Sequence, residues 1–116
     1  MYNNPTFSII TVVYNNVRNI EHTLKSVVSQ TYKHVEYIVI DGLSTDGTLD
    51  VIEKYRSQVS VILSEKDKGI YDAMNKGLAL ATGDYVLFLN SGDELYSKET
   101  LANLAEVSEG ADIIYG

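Results

Sequence analysis

The stretch "YVLFLNSGDE", residues 85–94, runs five apolar or aromatic residues together and then turns polar at Asn90 without transition. Unbroken apolarity of this length reads as a strand covered on both faces, as in a parallel sheet; a half-exposed strand would alternate. The polar tail then lies beyond the strand's carboxyl end. It carries two acids, Asp93 and Glu94, and a buried strand has no structural need of charge at its tip.

Outward from this segment the same pattern recurs. "FSIITVVY" (7–14), "VEYIVI" (35–40), the shorter "VSVIL" (59–63) and the terminal "DIIY" (112–115) bring the candidate strands to five. Between them Ile20, Leu24, Val27 and Val28 fall at i, i+4, i+7 and i+8, and that spacing predicts a helix over 17–29 with one apolar stripe. Comparable stripes predict helices over 48–55, 70–81 and 98–107, the last capped by Ser97. Gly77, inside the third of these, costs about 1 kcal/mol against Ala, which predicts close approach of another backbone. The alternation βαβαβαβαβ implies an α/β fold, a mostly parallel sheet with helices on both faces in three α/β/α layers.

Open parallel sheets bind ligands outside the carboxyl ends of their strands. Here those ends are residues 14–16, 41–47, 64–69 and 90–94; each is polar and three carry acids, so the acids converge on one rim. Taken singly, each cluster is ordinary turn and cap chemistry: Asp46-Gly47 reads as a turn onto a helix, and Gly83-Asp84 as a helix stop before a strand. His22 and His34 have no second ligand at metal spacing and read as surface residues.

Composition bounds the rest. With 116 residues, 45% of them hydrophobic, and a single Pro, the chain reads as one domain over 7–116 behind a loose stretch at 1–6. The absence of Cys rules out disulfides, thiolate zinc sites and a cysteine nucleophile, and makes the reducing cytoplasm the expected compartment, the inner face of the membrane included. No apolar run reaches the ~20 residues that span a bilayer. A formal charge of −7 argues against nucleic acid as a partner, since counterion release needs a basic surface. Familiar nucleotide folds fail to match: "YNNVRN" after the first strand has no glycine-rich turn, no P-loop is present, and Asn15 and Asn16 stand where a phosphoacceptor domain wants paired acids.

Three blocks in order, "SIITVVYNN", "VEYIVIDGLSTDGT" and "DKGIYDAMNKGLALATGDYVLFLNSGDE", resemble the N-terminal half of a family 2 glycosyltransferase of the GT-A fold, closest in flavour to bacterial polysaccharide-assembly members. The resemblance implies a Rossmann-like nucleotide-sugar-binding domain over 7–116, whose acceptor-binding half lies outside this chain. It places the nucleoside base on Val12, Val13 and Tyr14, with Asp41 reading the base. A Tyr face and an acceptor carboxylate for a ring N–H suit uracil. It sets Lys68, Asp72 and Asn75, and more weakly Lys76, beside the diphosphate and sugar, with Ser91 also on the donor.

The resemblance also answers the charged tip. "NSGDE" occupies the place of the family's Asp-x-Asp motif, so Asp93, and more weakly Asn90 and Glu94, would hold Mn²⁺ or Mg²⁺ against the donor diphosphate. Two departures stand out: Asn90 and Gly92 replace acids of the common form, and Gly42 replaces the second member of its Asp-Asp pair. The implied activity is hexosyl-type transfer, inverting and metal-dependent, from a UDP-sugar by preference or a GDP- or dTDP-sugar, to a glycan or lipid-linked acceptor. The general base is expected beyond residue 116. The alternative is a non-catalytic binding or interaction domain that keeps the glycosyltransferase shape.

Overall fold

All seven residues of β1 (Phe7–Val13) are buried, and this strand takes the centre of the sheet. The computed structural model of the chain describes residues 4–107 and 113–115. β2 (Val35–Asp41), β3 (Val61–Ser64), β4 (Tyr85–Phe88) and β5 (Ile113–Tyr115) complete a five-stranded sheet in the order β3-β2-β1-β4-β5, every neighbouring pair parallel. Between them lie α1 (Ile20–Val28), α2 (Thr48–Glu53), a 3₁₀ turn at Arg56–Gln58, α3 (Ile70–Leu80) and α4 (Thr100–Val107). The expected strand start at residue 112 lies outside the described residues, as do residues 1–3.

The two faces of β1 bury different helices because successive side chains alternate. Phe7, Ile9 and Val13 join Ile20, Leu24 and Val27 of α1, Ile52 of α2 and Leu101 and Ala105 of α4 in one apolar cluster. Ile10 and Val12 join Ile38, Ile40, Phe88 and Ala73 of α3 in a second. The sheet is therefore covered on both sides, as the unbroken apolar runs predict. The strand order reverses direction between β1 and β4, which makes the carboxyl ends of these two strands the place where a crevice opens.

Element ends differ from the sequence pattern for local reasons. α1 starts at Ile20 and not at residue 17, because the Asn16 carbonyl accepts both the Asn19 and Ile20 N–H groups and holds 17–19 in a turn. α4 starts at Thr100; the turn before it is closed by the Ser97 hydroxyl, which accepts the Glu99 N–H at 3.2 Å. Val59, expected in the third strand, precedes it and packs on the core. Gly77 is explained by a side chain and not by a backbone: a Cβ there would stand 2.4 Å from Ile10 Cγ2. α3 thus lies on β1 closer than an alanine permits.

The amino ends of the strands are stitched by polar contacts. Glu36 accepts from the Ser8 hydroxyl at 2.6 Å and from the Thr82 N–H and hydroxyl, both at 2.8 Å, while Gly83 N–H donates to Ser8 Oγ. Thr6, within the stretch expected to be loose, donates its N–H to Asp84 at 2.8 Å and accepts the Asp84 N–H. The opposite rim is left for loops.

Candidate functional site

Val12, Val13 and Tyr14 line a cleft of about 320 Å³ together with Asp67, Gly69, Ile70 and Ala73. The first three end the central strand; the others come from the β3 tip and the start of α3. Tyr14 is 62% exposed, so its ring is available to a ligand and is not spent on roofing the sheet. Beyond it Asn15 takes the left-handed conformation (φ 46°), and its N–H and side-chain carbonyl bond Ser44 Oγ and the Thr45 N–H, each at 2.8 Å. The β1 tip is thereby fixed to the β2 loop.

Asp41 sits differently from an open base-reading acid. It is fully buried. Its Oδ2 accepts from the Ser44 N–H (3.0 Å) and the Ser64 hydroxyl (2.7 Å), and its Oδ1 from the Ser44 hydroxyl (2.5 Å). These bonds give the buried carboxylate the partners it needs, and they join the tips of β2 and β3. Of the residues lining the cleft, Asp67 is the acid. Its Oδ1 accepts the Gly69 N–H at 3.1 Å, and its Oδ2 lies 2.8 Å from where a Cβ on Gly42 would stand. Asp67 is not among the candidates that the sequence marked; the sequence signal for it is an acid at the β3 tip together with Gly42, where the resemblance implies an acid.

The start of α3 gathers the remaining diphosphate-side candidates. Gly69 has φ +119° with nothing within 4 Å of a built Cβ, so the turn is open to solvent. Asp72 accepts the Lys68 N–H at 2.8 Å and faces Lys76 Nζ at 3.7 Å, while Lys76 donates to the Lys66 carbonyl and lies 3.4 Å from Glu65. Asp72 and Lys76 are thus engaged in holding the turn. Lys68 and Asn75 are exposed.

On the other side of β1 the backbone ladder continues past β4: Leu89 and Ser91 donate their N–H groups to the Ile10 and Val12 carbonyls at 2.9 and 3.2 Å. This carries residues 90–94 to the β1 tip. Asp93 and Glu94 are exposed, and the Asp93 N–H closes a turn on the Asn90 carbonyl at 2.9 Å. Among the described residues no three His, Cys, Asp or Glu side chains group as a metal site. Asn90 Oδ1, however, is buried without a hydrogen-bond partner, an orphaned oxygen within the motif. Hard divalent cations of the Mg²⁺ type are held by one or two carboxylates plus substrate phosphates. The exposed Asp93 carboxylate and the orphaned Asn90 amide oxygen, borne on one turn, are oxygen donors of the kind that a cation shared with a diphosphate would take.

One acid of this rim has its ionisation displaced: the Thr48 hydroxyl beside Asp46 holds its carboxyl below the usual carboxylate range, against a smaller opposing effect of burial. Its bonds to Thr48 and to the Val17 N–H at 3.2 Å mark it as the turn residue the sequence suggests.

Comparison with known proteins supplies the context for this rim. The profile of glycosyl transferase family 2 matches residues 8–116. A PGL/p-HBAD biosynthesis glycosyltransferase of Mycobacterium tuberculosis is 39% identical over 118 residues, covering 97% of this chain and 46% of that protein. The putative teichuronic acid biosynthesis glycosyltransferase TuaG of Bacillus subtilis is 39% identical over 105 residues, covering 88% of this chain and 41% of its own length. The chain therefore spans less than half the length of these relatives. Among solved structures, S. aureus TarS in complex with UDP-GlcNAc superimposes with a TM-score of 0.82 at 34% identity, over 90% of this chain and 31% of that one. The mannosyltransferase PcManGT from Pyrobaculum calidifontis, in complex with GDP-Man and Mn²⁺, gives 0.84 at 26% identity, over 94% and 34%. Sheet order, crevice and family profile agree, and the chain belongs to glycosyl transferase family 2, on the GT-A fold.

Proposed function

We propose that this chain is the donor-binding portion of a hexosyl-type, inverting glycosyltransferase of cell-surface polysaccharide assembly, using a nucleotide-sugar donor and a glycan or lipid-linked acceptor. The observation that carries the reading is the cleft at the β1 tip, walled by Val12, Val13, Tyr14 and Asp67, beside the loop of residues 90–94. In this reading the Tyr14 ring covers the face of the base, and the Asp67 carboxylate accepts a ring N–H. Uracil, thymine and guanine present such an N–H; the corresponding nitrogen of cytosine is an acceptor. A UDP-sugar is favoured on size, with GDP- and dTDP-sugars the alternatives. The exposed Lys68 and Asn75 lie where diphosphate and sugar would extend.

Asp93 and Asn90 Oδ1 would hold Mn²⁺ or Mg²⁺, with Glu94 a weaker candidate. When bound, the cation supplies charge neutralisation for the departing diphosphate. The transfer breaks the bond between the anomeric carbon and the diphosphate oxygen, forms one to an acceptor oxygen, and passes the acceptor's proton to a carboxylate base expected beyond residue 116. The compartment in this reading is the cytoplasm, the inner face of the membrane included, in keeping with a chain free of cysteine. Among the described residues no helix is long and apolar enough to cross a membrane. A second reading, a non-catalytic binding or interaction domain that keeps the glycosyltransferase shape, is favoured by Asn90 and Gly92 in place of acids.

Calorimetric titration of the chain with UDP, GDP, CDP and dTDP, with and without Mn²⁺, tests the proposal. Selective binding of UDP that strengthens with Mn²⁺ is expected. A folded sample that binds none of the four overturns it.

A further inference from the structure

We infer that Asn16 is a positioning residue that holds the loop of residues 90–93 in place for a divalent cation, joining that loop to the base side of the site. The inference rests on the metal reading of this loop given above.

The Asn16 backbone and side chain do separate work. Its carbonyl accepts the N–H groups that open α1, at 3.2 and 3.0 Å, so the helix start does not need the side chain. The side-chain amide instead crosses the crevice and donates to Ser91 Oγ at 2.7 Å, a contact between positions 75 apart in the chain. Asn19 donates to Asn16 Oδ1 at 3.1 Å, fixing which end of the amide faces Ser91. Gly92, at φ +99°, lies against this amide: a Cβ built there falls 3.8 Å from Asn16 Nδ2. Two further bonds suspend the loop, Ser91 N–H to the Val12 carbonyl and Gly92 N–H to Thr23 Oγ1 at 2.8 Å.

Of the two side-chain supports, Asn16 and Thr23, Asn16 is the one that also reaches the β2 loop on the other side of the site. Its own N–H is held by Thr48 Oγ1 at 3.0 Å, and its neighbour Asn15 bonds Ser44 and Thr45 in the β2 loop. The pair Asn15-Asn16 therefore links the loop behind Tyr14 to the loop bearing Asn90 and Asp93. Position matters more here than in an acid-rich site. With two acids of the common family form missing, the chain offers few ligands, and groups that orient ligands then account for much of the affinity.

The test is UDP binding to the chain, with and without Mn²⁺, for the wild type, Asn16→Ala, Ser91→Ala and the double variant, by calorimetry and by the Mn²⁺ electron paramagnetic resonance signal. Asn16→Ala is expected to cut the strengthening by Mn²⁺ about 10-fold, and to leave metal-free UDP affinity within about twofold. Ser91→Ala should reduce the strengthening similarly, and the double variant should be no worse than Asn16→Ala, since the Asn16–Ser91 bond is lost in all three. Ser91→Ala keeps the Asn19 contact, so it remains informative if Asn16→Ala is unstable. Equal strengthening in the wild type and both single variants overturns the inference alone. So does a loss of metal-free binding in Asn16→Ala that matches the loss with metal. A wild type that binds UDP without any strengthening by Mn²⁺ overturns the metal reading, and this inference with it.

Discussion

Asp67 Oδ2 lies 2.8 Å from the point where a side chain on Gly42 would begin, and Tyr14 Cδ1 lies 3.3 Å from the same point. The carboxylate occupies space that a larger residue at 42 would claim. An acid at position 42 and an acid held as Asp67 is held here thus compete for one volume beside the same aromatic ring. Replacing Asp67 by Asn keeps the size and removes a charged acceptor, so UDP affinity should fall about tenfold while the melting temperature stays put. Gly42→Ala should displace Asp67 and produce the same direction of change. Unaltered UDP affinity in Asp67→Asn would return the base-reading role to another residue.

Asp93→Ala should leave the fold intact, because the side chain is exposed at a loop. Circular dichroism checks that. Titration with UDP should then show no strengthening by Mn²⁺, whereas metal-free binding remains. A variant still strengthened to the wild-type degree would remove Asp93 from the ligand set.

Asp41→Ala should behave in the opposite way, as a stability variant. The change strips partners from the Ser44 N–H and from the Ser44 and Ser64 hydroxyls in a buried setting, at a cost of about 1–3 kcal/mol. Urea unfolding measures it. A variant of undiminished stability that no longer binds nucleotide would restore Asp41 as the group that meets the base.

Glu36 links stability to pH. Burial pushes its carboxyl upward, but hydrogen bonds from Ser8, Thr82 and Gly83 outweigh this and hold it below its ordinary value of 4.5. A group depressed in the folded state contributes stability that is fully present above its unfolded pKa. That contribution is lost as the pH falls below 4.5 and through the lower folded value. Melting temperatures of the wild type and Glu36→Gln, measured from pH 7 down to pH 3, should converge at the acid end. Parallel curves would show that the charge of Glu36 contributes nothing.

Gly77→Ala places a methyl 2.4 Å from Ile10 Cγ2, on an interior strand that cannot withdraw. A loss of about 1–3 kcal/mol is expected from overpacking, even though Ala is the better helix former. Combining it with Ile10→Ala should cost less than the sum of the two single changes. Denaturation of the four proteins gives the coupling directly.

The layered sheet was legible in the sequence because burial on both faces writes itself as unbroken apolar runs, as in residues 7–13 and 35–40. The helical stripe of Ile20, Leu24 and Val27 was equally plain, and only its first turn was misjudged, since the Asn16 carbonyl closes 17–19 before the helix begins. Asp41 was harder. An acid after a strand looks solvent-facing when read along the chain, and the serines that enclose it come from positions 44 and 64. Asp67 stayed hidden for the same reason, because its significance is a relation to Gly42 on another strand tip. Gly77 signalled a close approach, but the partner was the branched side chain of Ile10. What depends on one segment could be read; what depends on two segments meeting could not.

The strand order also carries a consequence for how the molecule is made. β1, β2 and β3 with α1 and α2 come first, and on one face Ile9, Tyr37 and Val39 can begin to pack with Leu24, Val27 and Ile52 before Leu101 and Ala105 of α4 complete the cover. Ile10, Ile38 and Ile40 on the reverse face wait for Ala73 and Phe88, which come from α3 and β4. Until residues beyond 70 leave the ribosome, one side of the nascent sheet is bare hydrocarbon, and β1 has an open edge where β4 will pair. The crevice at the β1–β4 junction therefore forms only after β4 has emerged, and its greasy precursor is the stage at which a chaperone would find this chain.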